Sequence, residues 1–487
     1  MRWFVLMLLL CSASFSRAQN QPLLYDFTEI PQSLLLNPGV KVGYSWYAGI
    51  PTVSGIFIQA RSNALTYNDL FAADGLNFYQ KVSQNALNRL TPNDEVGASF
   101  QIDLLNGGFR SRKHPGNFYS FGMYLQHDLQ VYWPGDIVEL GWDGSASQLD
   151  RRFNLGHLNL QGYLRNVIHF GLNRALSNRL TAGARIKIYN GIFNFISTRN
   201  AGYFSTSLDA LGFLTQNTLN ANMRLQTTGL EGYRKLISAN PNDVGSVVGR
   251  ETIRRGLLGG DLGLGLDLGF TYDISSQLYV TGSLLDWGIM SNSSEVRNVE
   301  LRGQNTVVAT PVQQEALLSP DDEFWQALAD EINDIVPFVE NQEGYLTFNP
   351  MKLYGSIRYN FGAPPSTKNE ADCDCSYRHP KGRNSAARSP FRNGLGAQLY
   401  LINRPSGPQS AFSIFFQRQL TGAIGLKTTY SADKFSKTNI GLGLNVQAGP
   451  VEMYVLADNL LGYSNLANSH LASFQIGLNI LSWRSNP

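Results

Sequence analysis

The stretch DLGLGLDLGFTY, residues 261–272, decides how the whole chain is read. At a period of two, one face is Leu262, Leu264, Leu266, Leu268, Phe270 and Tyr272; the other is Asp261, Gly263, Gly265, Asp267, Gly269 and Thr271. A phosphate cradle needs its glycines in a turn between strand and helix, where backbone amides converge on the anion. These glycines sit inside strict alternation instead, which predicts a strand apolar on one side and polar on the other. Their small size suits close approach of another backbone on the polar side.

The pattern recurs in NIGLGLNVQ (439–447), ASFQIGLNI (472–480), VGASFQIDL (96–104) and LTAGARIKI (180–188). The polar faces carry charges of both signs, such as Asp103, Arg185 and Lys187, whereas the apolar faces carry almost none. An Arg or Lys facing lipid near the midplane costs about 2–4 kcal/mol. The asymmetry therefore fits hydrocarbon on one side and a polar lumen on the other. A soluble sandwich alternates too, with its apolar face inward, so no single strand separates the two cases.

Composition narrows the choice. Charged residues make up 16% of the 487, against roughly 25% in ordinary soluble chains. Aromatic residues reach 11% and glycines number 47. The 39 basic against 37 acidic residues give no reason to expect a nucleic-acid partner. The opening MRWFVLMLLLCSASFSRA reads as a secretory signal over 1–18, cleaved before Gln19. Its apolar run is too short for a spanning helix, and Leu10 before Cys11 does not suit a lipoprotein signal. The mature chain keeps only Cys373 and Cys375, so no disulfide framework holds it together. No later run of about 18 apolar residues follows, so the expectation is an all-β, transmembrane, antiparallel up-and-down barrel in the cell outer membrane.

Alternation places about fourteen strands, near 52–60, 96–105, 116–126, 157–174, 179–191, 261–274, 277–287, 351–361, 392–402, 409–418, 420–430, 438–447, 450–458 and 471–483. Connections on one side are tight, as at Ser177-Asn178, 273–277, 418–422 and 447–450. Those on the other side are long, notably 192–260 and 288–350. Barrels of this kind keep short turns in the periplasm and long loops outside, and an even count returns both ends to the periplasm. Residues 19–51 are expected as an N-terminal plug or periplasmic segment and 52–487 as the barrel. Within the long loops, Ser319 as N-cap, Pro320, and Trp325, Leu328, Ala329, Ile332 and Val336 at helical spacing predict a helix ending at Pro337. Trp46, Tyr47, Tyr272, Trp287, Tyr430 and Trp483, near strand ends, are expected in interfacial girdles.

Several stretches together resemble a known group: LLYDFTEIPQSLLLNPGVKVGYSWYAGIP (23–51), TGSLLDWGIM (281–290), EGYLTFNPMKLYGSIRYNF (343–361) and the run from TNIGLGLNVQAGP (438–450) to FQIGLNILSW (474–483). They look like an uncharacterised Bacteroidota family of secreted outer-membrane barrels with a domain of unknown function. The family is similar to PorP/SprF-like proteins of type IX secretion and, more distantly, to FadL-like barrels. The resemblance implies location and fold and carries over no activity. It departs at the end of the chain, where Arg484 to Pro487 follow Trp483 instead of a terminal aromatic.

Candidate lumen-facing residues are Asp103, Arg185, Lys187, Asp261, Asp267, Arg358 and Lys427, which line a selective channel or pair to fill the barrel. The segment 362–390 is long for a periplasmic turn and basic in its second half. It is a candidate partner loop through Cys373, Cys375, His379, Lys381, Arg383 and Arg388. Cys373 and Cys375 with His379 invite a zinc reading, but the spacing is short and a second ligand pair is missing. A strained local disulfide, a redox-reactive pair, an intermolecular link or an idle pair are the other readings. None of the six histidines stands in a recognisable serine motif, so no catalytic residue and no cofactor is expected. Two functions stay open: an accessory subunit of an outer-membrane machine, with lipids and periplasmic or outer-membrane proteins as partners, and a FadL-like transporter of small or hydrophobic solutes.

Overall fold

The computed structural model describes residues 21–311, 333, 335–363 and 391–483, with residues 16 and 17. The wall begins with β1 (Tyr44–Gly49) and β2 (Ile56–Ser62), two halves of one interrupted strand. It continues through β3 (Glu95–Arg110), β4 (Asn117–Tyr132), β5 (Leu160–Ala175) and β6 (Leu180–Leu208). Outside the wall lies β7 (Thr215–Thr228). Then come β8 (Asp261–Asp273) and β9 (Leu278–Asn292), followed by β10 (Val296–Val308) and β11 (Phe338–Asn341). A second interrupted strand is β12 (Tyr345–Phe348) with β13 (Lys352–Phe361). The wall closes with β14 (Asn393–Arg404), β15 (Gly407–Gln419), β16 (Ile424–Ala432), β17 (Asn439–Ala448), β18 (Val451–Asp458) and β19 (Leu471–Trp483).

Each wall strand pairs antiparallel with its neighbours, β6 meeting β8 and β9 meeting β12 and β13. The last strand, β19, pairs with β18 on one side and with β1 and β2 on the other. The sheet is thus a closed antiparallel barrel of fourteen strands, with no free edge. All fourteen expected strands are present. Pro350, which has no N–H to donate, stands in the break between β12 and β13.

The two faces of the wall are inverted relative to a soluble protein. On β8, Leu262, Leu264, Leu268, Phe270 and Tyr272 are exposed, while Asp261, Asp267 and Thr271 are buried. The same holds on β15, where Phe412 and Ile414 are exposed and Ser413 and Gln417 buried. Of the expected girdle, Trp46, Tyr272, Trp287 and Tyr430 are exposed. Tyr47 is not: neighbours on a strand point to opposite faces, and Tyr47 turns inward to donate to Asn106 Oδ1 at 2.7 Å.

Residues 21–43 lie inside the ring, folded into turns and one helical turn at Ser33–Leu36. Leu23, Leu24, Tyr25, Phe27, Ile30 and Leu36 pack against Leu285, Tyr354, Tyr400, Tyr454 and Leu456 of the inner wall. Full burial of such a side chain contributes about 1.5–3 kcal/mol. Tyr44–Gly49, expected within the N-terminal segment 19–51, is already wall, because it finds partners in Asn479–Trp483 and Gly107–Phe109.

The long connections hold more strand than the sequence suggested. β6 runs past the wall and pairs with β7, β7 with β10, and β10 with β11, a four-stranded extension on the long-loop side. Helices Leu230–Ala239 and Val244–Arg254 lie between β7 and β8. Of the helix expected at 319–337, only residues 333 and 335–337 are described. Ile335 and Val336 pack on Phe204, Leu219 and Leu301 of the extension. The expected leader, 1–18, lies outside the described residues except for Ser16 and Arg17, which pair in parallel with Gln409 and Ser410.

The barrel lumen as candidate functional site

The opening glycines mark where the interior segment touches the wall. A Cβ on Gly269 would meet the side chains of Asn37 and Pro38, and one on Gly183 would overlap the Pro38 carbonyl. Gly183 and Gly269 are register partners on β6 and β8, so together they open a slot for residues 37–39. Gly265 makes similar room for the ring of Tyr189.

Around that slot the wall holds the segment by its backbone. Asn173 Nδ2 donates to the carbonyls of Pro38 and Val40 at 2.7 and 2.8 Å. Ser283 Oγ donates to Leu36 O at 2.6 Å, and Gln398 Nε2 to Pro22 O at 2.8 Å. Gln32 exchanges hydrogen bonds with Asn479 and donates to Ser54 O at 2.7 Å. Asp26 accepts from Tyr279 and Ser356, and Glu29 accepts from Gln417 at 2.9 Å. Each such bond contributes about 0.5–1.5 kcal/mol, and leaving a buried carbonyl unpaired costs more.

All seven residues expected to face the lumen are buried, yet they do not form one site. Arg185, Lys187 and Asp267 are joined: Arg185 Nε lies 2.7 Å and Lys187 Nζ 2.9 Å from Asp267 Oδ2. Arg358 donates to Asp26 O at 3.1 Å and to Gln417, and Lys427 to the carbonyls of Pro22 and Tyr25, so both grip the interior segment. Asp103 accepts from Gln101 and Asn106 on its own strand. Asp261 stands at the long-loop end and accepts from the backbone N–H groups of Ser293 and Ser294 at 2.7 and 2.8 Å. Cys373, Cys375, His379, Lys381, Arg383 and Arg388 lie outside the described residues. Among the described residues no group of three or more His, Cys, Asp or Glu is placed to hold a metal ion.

Above the interior segment, toward the long loops, lies a cavity of about 110 Å³. Its charged lining is Arg61, Asp128, Lys187, Asp286, Lys352 and Arg404, with Tyr124, Tyr163, Tyr354 and Tyr400 among its aromatic walls. Asp128 is shared by Arg61 at 2.9 Å and Arg404 at 2.5 Å; Asp286 is shared by Lys187 at 2.6 Å and Lys352 at 2.8 Å. Sequence reasoning singled out only Lys187 of these six. Arg61, Asp128 and Arg404 lie just past the strand ends drawn from alternation, which stops where the wall rises into the loops. Asp286 did leave a signal. It shares parity with Leu284, on the apolar face, and a charge there demands a bulge. The register does shift at that point, and both Leu285 and Asp286 turn inward.

The sequence from residue 38 to residue 458 matches a family model described as "Family of unknown function (DUF5723)". The chain belongs to that family. No match was found among curated proteins. Among solved structures, this DUF5723 chain is similar to the Pseudomonas putida toluene transporter TodX at 9% identity and TM-score 0.36, covering 96% of this chain and 94% of that one. It is also similar to a Pseudomonas aeruginosa FadL homologue, at 9% identity and TM-score 0.37 over 97% of each chain. For the Ralstonia pickettii toluene transporter TbuX the values are 8% and 0.36, over 93% of this chain and 94% of the other.

Proposed function

We propose that this chain is an outer-membrane β-barrel, exported by a cleaved signal, that performs no catalysis and keeps its lumen shut with its own residues 21–43. In this reading the apolar outer face meets lipid, the long connections face outward, and the barrel serves as an accessory or structural subunit of an outer-membrane assembly. Periplasmic or outer-membrane proteins are its partners, with the basic segment 362–390 and the N-terminal region as the surfaces offered to them.

One observation carries the reading: the interior segment is bound through its backbone by side chains from many parts of the wall, including Arg185, Asn173, Ser283, Gln398 and Arg358. A gate meant to leave would have to give up these buried bonds together. The polar lining of the remaining cavity also fits poorly with a conduit for hydrophobic solutes.

Purification of the tagged protein from native membranes, paired with planar-bilayer recording, tests this. A stoichiometric partner and a silent bilayer are expected. A solitary protein that conducts steadily, or that moves solutes into vesicles, would favour the transporter reading.

A further inference from the structure

We infer that the cavity above the interior segment is a binding site for a small oxyanion of the phosphate, sulfate or carboxylate class. Four cations, Arg61, Lys187, Lys352 and Arg404, line it against two carboxylates, Asp128 and Asp286. Each carboxylate is divided between two cations, so each set of three keeps one positive charge in excess. Asp267, the other carboxylate touching Lys187, is matched by Arg185. Behind the lining, Arg165, only 3% exposed, lies over the rings of Tyr163 and Tyr189, donates to Gln126 and Asn349, and forms no ion pair among the described residues. Excess buried positive charge is costly until a counter-charge joins it.

Unused donors stand in the same lining. The hydroxyls of Tyr163 and Tyr400 make no hydrogen bond among the described residues, and Gln59 Nε2 is buried without a partner. The backbone adds a further sign. Asp286 sits at φ 60°, a left-handed conformation that a non-glycine residue seldom adopts. Its N–H donates to Asp267 Oδ1 at 2.7 Å, which fixes the bulge and holds Lys187 and Lys352 on opposite carboxylate oxygens. A cavity of about 110 Å³ is well above the roughly 10–15 Å³ that admits one water, which leaves room for a tetrahedral oxyanion.

The experiment is calorimetric titration of the full-length protein in a non-ionic detergent with inorganic phosphate, then with sulfate, acetate and neutral glucose. Saturable phosphate binding, displaced by sulfate and absent with glucose, is expected. Arg404→Gln leaves Asp128 with Arg61, and Lys352→Gln leaves Asp286 with Lys187, so each variant keeps its carboxylate paired. Each should weaken phosphate by about tenfold or more, while Arg234→Gln on the outer surface should leave it unchanged. Tyr400→Phe, which removes only a hydroxyl, gives a milder loss and serves if a charge variant fails to fold. No saturable heat from folded wild type at millimolar phosphate, or equal affinity in the lining variants and Arg234→Gln, would overturn the site. The result is independent of whether the barrel conducts.

Discussion

Arg185 and Asp267 are register partners across β6 and β8, with Nε 2.7 Å from Oδ2, and the same guanidinium donates to the carbonyls of Leu34 and Leu35 at 2.9 and 2.6 Å. One side chain thus ties two wall strands to the interior segment. Arg185→Met keeps the bulk but strands two buried carbonyls and leaves Asp267 to Lys187. A loss of about 3–5 kcal/mol is expected, read as a lower urea midpoint for unfolding from lipid vesicles. An unchanged midpoint would mean that the segment is held elsewhere.

Gly183→Val should push residues 37–39 away from the wall, since its Cβ overlaps the Pro38 carbonyl. Hydrogen exchange across the buried residues 36–40 should then rise in the folded barrel, and current should appear across a planar bilayer. Gly249→Ala is the control, because a Cβ there meets nothing within 4 Å. Protection equal to wild type in both variants would argue against a seated interior segment.

Leu264→Arg places a charge on the outward face at a residue 62% exposed. In a bilayer this costs about 2–4 kcal/mol near the midplane, so folding yield into vesicles should fall, whereas Leu264→Phe should be neutral. A tolerated arginine would mean water at that face.

Arg255, fully buried, donates to Ile192 O at 2.6 Å and pairs with Glu295 at 3.2 Å, which anchors the helices of the 229–260 connection to the wall. Arg255→Ala should speed hydrogen exchange across 230–254 while leaving the wall amides protected. Uniform loosening of the whole barrel would contradict this local role.

How much was legible follows from what each part faces. Wherever a strand separates two media, as Leu262 to Tyr272 do, alternation is enforced and the sequence shows it. The extension was legible in part: within TQNTLNANMRLQTT, residues 215–228, Leu219, Ala221, Met223 and Leu225 alternate with Asn220, Asn222, Arg224 and Gln226, but the polar ends and the long connection around it hid the strand. The seven lumen candidates were found because each charge sat opposite lipid-facing neighbours. Arg61, Asp128 and Arg404 were missed because they stand where the wall leaves that constraint, and no spacing reveals that they converge. Two others were readable: Asp286, a charge at the wrong parity that announced its bulge, and Lys352, inside the expected strand 351–361 at the parity of Arg358.

The most direct measurement replaces Leu264 with Trp and records fluorescence in vesicles of lipids brominated along the acyl chain. Trp142, 3% exposed in a loop cluster, is the internal reference, read in a variant lacking the other tryptophans. Strong quenching at position 264 with little at Trp142 is the result expected of a hydrocarbon-facing wall. Equal, weak quenching at both would place the leucine face away from lipid and remove the basis of the membrane reading.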